Sequence, residues 1–70
     1  MTNPKIDRFG HKHWYNSKGQ KHRNGGPAIE YVDGSKTWYK NGLLHREDGP
    51  AYERVSDNHK EWWINGKIIK

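Results

Sequence analysis

The chain contains no cysteine, which excludes disulfide staples and thiolate metal sites. It holds one Phe and one Met, and only 30% of its 70 residues are hydrophobic. A thick core is therefore excluded, and a chain of this length buries only about 60% of its unfolded surface. No apolar run approaches the ~20 residues that span a bilayer. The stretch Met1 to Arg8 has no hydrophobic segment of the signal-peptide kind. A cytoplasmic location with no membrane partner is expected. Composition alone leans towards disorder, since charged residues make up another 30%. Four Trp, four Tyr and eight Gly pull the other way. Large aromatics bury much area per residue, so a thin aromatic-rich sheet is feasible, and self-association into a homo-oligomer would help so small a fold.

What the chain does have is an internal repeat. Trp14, Trp38 and Trp62 are spaced by 24 residues. Two positions before each stands Lys12, Lys36 or Lys60, and two before that a turn former, Gly10, Gly34 or Asn58. A second aromatic follows each Trp (Tyr15, Tyr39, Trp63), and then a glycine (Gly19, Gly42, Gly66). Between these blocks His22-Arg23-Asn24-Gly25-Gly26-Pro27-Ala28 is echoed by His45-Arg46-Glu47-Asp48-Gly49-Pro50-Ala51. Self-similarity at such a period marks a repeat of one supersecondary unit. The one-residue slips fall at Asn16–Gly19 and Ser56–Asn58, in turns, where an extra residue is tolerated.

Asp33-Gly34 between two strand-like runs is the strongest hairpin signal. Read as a two-residue turn, it pairs Val32 with Ser35 and Ile29 with Trp38. One face would then carry Ile29, Tyr31, Lys36 and Trp38, and the other Ala28, Glu30, Val32, Thr37 and Tyr39. In the next unit, Tyr52, Arg54, Lys60 and Trp62 would share the first face. Asn41-Gly42 and Asn65-Gly66 mark further tight turns leading into Leu43-Leu44 and 67–69. The expected fold is all-β: one domain over 1–70, an antiparallel meander of repeated hairpins with little or no helix. Its units are approximately 8–28, 29–51 and 52–70.

The run Trp38 to Ala51 resembles a variant of the MORN repeat, whose two-stranded units of about 23 residues carry aromatic, Asn/Asp-Gly and His-Gly positions in similar order. The His-Arg-x-Asp-Gly-Pro-Ala form is similar to that of small proteins of tailed bacteriophages and giant viruses. The resemblance covers roughly residues 8 to 70 and implies fold rather than activity. Gly25 replaces Asp48 in the first copy, and His-Arg replaces His-Gly throughout. A role in lipid contact is therefore not carried over. If the protein is viral, the cytoplasm is the host's.

Candidate ligand-binding residues follow from the repeat. Arg23 and Arg46, beside His22 and His45, could fork onto a phosphate or carboxylate. Trp14, Trp38 and Trp62, with Lys12, Lys36 and Lys60, could form an aromatic and basic stripe for a nucleotide. The plainer alternative is scaffold: Arg46 pairs with Asp48 or a strand carboxylate, His45 holds a backbone carbonyl, and the Trp set is core under Lys stems. A motif kept in each unit favours that alternative, since every unit must solve the same folding problem. His11 and His13 share a strand face, but without Cys or a helical His-x-x-x-His no metal or cofactor is expected. Catalysis is not expected either, because Ser17, Ser35 and Ser56 lie in or beside turns and so short a chain makes no water-excluding pocket.

The net charge of +5 favours an anionic partner. The functional expectation is a phage-type binding protein that counters host defence by sequestering a nucleotide signal or occupying a host protein. The alternatives are a generic protein-interaction module docking by sheet face or edge, non-specific nucleic-acid binding, and a structural role in a virion.

Overall fold

A computed structural model describes residues 3–70. Among these residues ten short strands form in chain order: β1 (Lys5–Ile6), β2 (Lys12–His13), β3 (Ile29–Glu30), β4 (Lys36–Thr37), β5 (Tyr39–Lys40), β6 (Leu43–Leu44), β7 (Tyr52–Arg54), β8 (His59–Glu61), β9 (Trp63–Ile64) and β10 (Lys67–Ile68). The described residues contain no helix. Strands β1-β2-β3-β4-β7-β8 make one antiparallel six-stranded sheet, while β5-β6 and β9-β10 are separate hairpins. The chain is thus the antiparallel all-β meander that its repeat implies. It is thin, with its shortest dimension 16 Å.

The hairpin register differs from the two-residue reading by one position. Ile29 faces Thr37 and Glu30 faces Lys36. The reason lies in the loop: Tyr31 N–H bonds Ser35 O, and Gly34 N–H bonds Tyr31 O. Gly34 takes φ +94°. Val32-Asp33-Gly34 is therefore a three-residue loop closed by a left-handed glycine. Asp33 Oδ1 stabilises it by accepting from Ser35 N–H at 2.8 Å. A one-residue shift exchanges the faces, so Ile29 lies across from Thr37, and Glu30 joins Lys36 in a solvent-facing row. The third hairpin shifts likewise, with Tyr52 opposite Glu61 and Glu53 opposite Lys60. The first hairpin pairs Lys5 with His13, so the repeat begins ahead of residue 8. Both inferred slips do fall in turns: the Arg54–His59 loop exceeds the Tyr31–Ser35 loop by one residue. Asn41 (φ 51°) and Gly42 (φ +84°) form the two-residue turn of β5-β6.

Strand β4 stops at Trp38, where the chain changes partners. Trp38 N–H bonds Ala51 O in the next unit, and Trp38 O accepts from His45 N–H. Trp14 does the same with Ala28 and His22. The Ala residues sit at bulges: Ala28 N–H reaches Thr37 O, although Ile29 already faces Thr37. Ala51 repeats this against Glu61. Ala28 and Ala51 are fully buried, and with Trp14 and Ile29 they make up the small core. The short hairpins are tied to one another through Gly42 N–H to Lys21 O and Gly66 N–H to Leu44 O, both 2.8 Å.

Thr37 is buried and its Oγ1 lacks a hydrogen-bond partner. Thr37→Val keeps the branched shape and removes an unsatisfied hydroxyl. It is expected to stabilise the fold by about 1 kcal/mol, read as a higher urea midpoint at unchanged slope.

Candidate functional site

The recurrent His-Arg and Gly-Pro residues come together at the seams between units. Arg46 Cζ lies 3.8 Å from the centroid of the Trp38 ring, and Arg23 lies at the same distance over Trp14. Each guanidinium then donates twice from one Nη. Arg46 bonds Pro50 O at 3.0 Å and Glu53 Oε2 at 3.3 Å. Arg23 bonds Pro27 O at 3.2 Å and Glu30 Oε2 at 3.0 Å. The planar cation combines ring stacking with a fixed fork of donors, which an ammonium cannot copy. Gly49 and Gly26 leave it room: a Cβ at Gly49 would lie 2.8 Å from Arg46 Cζ, and one at Gly26 3.1 Å from Arg23 Cζ. In the third unit Lys70 Nζ stands 5.0 Å over Trp62, and Lys70 O takes the Trp62 N–H.

The cations over the indoles are therefore Arg23, Arg46 and Lys70, not the Lys that precede each Trp. Lys12, Lys36 and Lys60 stand in the sheet row Lys12–Glu30–Lys36–Glu53–Lys60. Their stripe is interrupted at every step by a carboxylate. The seven-residue spacing of Arg23–Glu30 and Arg46–Glu53 was the sequence signal for these pairs. The glycine contact and the Lys70 substitution left no comparable signal.

Each motif histidine clamps the following unit. Asn41 N–H donates to His22 Nδ1 at 3.0 Å, and Asn65 N–H donates to His45 Nδ1 at 3.0 Å. The histidines thus accept from a backbone N–H instead of holding a carbonyl. Because Nδ1 accepts, neutral His45 carries its proton on Nε2, which lies 3.3 Å from Glu47 Oε2. His11 and His13 do not converge on an ion site: Val32 N–H donates to His11 Nδ1, and His13 Nε2 meets Asp7 Oδ2 at 2.9 Å. Among the described residues no three His, Asp or Glu side chains gather as a metal site.

An open groove of about 560 Å³ lies between the two Gly-Pro loops. Arg23, Trp38, His45 and Arg46 reach it, together with Lys40 and Asp48. Trp14, Trp62, His22, Lys36 and Lys60 do not line it. The sequence-derived candidates are therefore divided between seams, sheet row and groove rather than assembled into one pocket. Compared with protein-family models, curated proteins and solved structures, the chain matches none.

Several carboxylates are held below their ordinary values by hydrogen bonds. Asp7 is lowered by His13, Asp33 by the Ser35 N–H, and Glu61 by His59 and then Trp63. Asp57, gripped by the Arg54 fork at 2.7 and 2.9 Å, is lowered from 3.8 to about 2. For a carboxylate with a depressed folded value, the stabilisation is complete above the ordinary value and is lost as pH falls through the folded one. NMR titration of the Asp57 carboxyl should give a midpoint near 2, and stability should fall between about pH 4 and pH 2. Arg46→Lys keeps the charge but loses the fork and the stacked plane. It is expected to cost about 1–3 kcal/mol in urea unfolding, and Gly49→Ala should destabilise in the same direction by displacing the guanidinium.

Proposed function

We propose that the chain is a non-enzymatic interaction module that occupies a partner protein by accepting a strand along β8. The observation that carries this reading is the β8 edge of the six-stranded sheet, which pairs with no other strand among the described residues. Glu61 C=O is turned towards Ala51 N–H. By the alternation of an antiparallel ladder, Lys60 directs its N–H and C=O away from β7. Within the sheet, the equivalent residues Lys12 and Lys36 face Glu30 and Glu53, and His13 and Thr37 face Ile29 and Tyr52. Continuing that register, β8 fits a partner strand with an apolar residue opposite Glu61 and a Glu opposite Lys60. Strand addition of this kind takes its affinity from main-chain bonds and its specificity from alternate side chains.

The resemblance to MORN-like proteins of tailed phages supports a viral setting, a host protein as the partner, and a counter-defence role. Sequestering a nucleotide has less support, because the indoles it would stack on are already covered by Arg23, Arg46 and Lys70. The alternation of Lys and Glu along the sheet row likewise gives nucleic acid no continuous basic track.

Lys60→Pro removes the outward N–H and leaves the bonds to β7 intact. Wild-type protein should retain a stoichiometric partner from bacterial lysate and show slowed exchange of the Lys60 amide in that complex. The Pro variant should lose it. Retention by Lys60→Pro, pairing of β8 with a second copy of the chain, or saturable heat with cyclic oligonucleotides would each overturn the reading.

A further inference from the structure

The two Gly-Pro loops are copies that differ at two positions, and the difference opens a donor. In the second copy Asp48 Oδ1 accepts from Arg46 Nε at 3.0 Å, and Glu47 Oε2 lies 3.3 Å from His45 Nε2. In the first copy those acids are replaced by Asn24 and Gly25. Arg23 is seated as Arg46 is, over its Trp and against its Pro carbonyl and strand Glu. Its Nε, however, has no partner among the described residues, and His22 has no carboxylate on its Nε2. Gly25 has φ +82°, and no atom lies within 4 Å of where its Cβ would be. Asp48 does not share this left-handed backbone, so the two loops differ in course as well as in side chain, and the space beside Gly25 is open. Arg23 borders the groove between the loops, where Lys40 supplies a further positive charge and Glu47 and Asp48 stand on the second loop's side.

We infer that Arg23 Nε, beside the Asn24-Gly25 turn, is a binding site for the side-chain carboxylate of an acidic peptide segment. Asp48 on Arg46 is the internal example of the ligand. The bond is charge-assisted, and the guanidinium is held in place by contacts that do not involve the ligand, so it loses little freedom on binding. The site uses residues other than the β8 edge and holds or fails independently of strand addition there.

The test is an NMR titration that follows the Nε–H signals of all arginines, with the dipeptide N-acetyl-Glu-Asp-amide as probe at constant ionic strength. A saturable shift at Arg23, with the Arg46 signal unmoved, is the expected result. The variant Asn24→Glu with Gly25→Asp returns both acids to the first loop, at the cost of strain at φ +82°, and should abolish the response. The reverse change, Glu47→Gln with Asp48→Asn, alters two exposed side chains and should create a second responding site at Arg46. That gain keeps the inference testable even if the first variant folds poorly. Shifts that do not saturate, or that appear equally at every arginine, would overturn it. So would saturation by inorganic phosphate at lower concentration than the dipeptide, or the absence of any gain at Arg46.

Discussion

The structure depends on a cation laid across an indole at each seam between units. With only 30% hydrophobic residues, the chain cannot bury its tryptophans under aliphatic side chains. It covers Trp14, Trp38 and Trp62 instead with Arg23, Arg46 and Lys70. The two arginines have their charge answered by a strand glutamate and their donors by a proline carbonyl. This arrangement explains the composition of the motif. The glycine must lack a Cβ because the guanidinium passes there. The proline contributes its carbonyl, and the fully buried alanine fits the bulge where the Trp backbone changes partners.

From that seam the remaining structure follows by propagation. Each histidine accepts a backbone N–H from the next unit's turn, so the turn of one unit is set by the motif of the one before. Loop tips interlock in the same way, with Val32 over Gly10 and Leu43 over Gly66. Such nearest-neighbour coupling is how repeat proteins gain stability without one large core. It also means that wherever a unit lacks its neighbour, or one of its own motif residues, a group is left without its usual partner. Among the described residues, β8 pairs on one side only, and Arg23 Nε lacks the carboxylate that Arg46 Nε has.

The same residues therefore bear on function in an indirect way. The copied positions are occupied by internal work, and what distinguishes one copy from another is more informative than what they share. The substitution of Asn24-Gly25 for Glu47-Asp48 changes the charge of a loop while the scaffold beneath it is unchanged.

The repeat, the all-β class, the Asn-Gly turns and the placement of the one-residue slips could be read from the chain, because each is a local property of spacing and turn chemistry. The alternative partners of Arg46, Asp48 and a strand carboxylate, were also legible, and both are used. Register was not. Asp33-Gly34 is compatible with a two- or a three-residue loop, and the choice rests on whether Tyr31 bonds Ser35, a contact across the strands. The faces followed the register, so Lys36 joined a row with Glu30 instead of lying over Trp38. Which cation covers which indole was likewise decided by tertiary structure. Arg46 and Trp38 are eight residues apart and on different strands' ends, and only the β5-β6 hairpin between them folds one onto the other. Sequence alone determined that a thin repeated sheet would form without cysteine or a thick core. Tertiary contacts determined the register and which cation lies over which indole, because Arg46 meets Trp38 and Glu53 only once separate strands have been brought together.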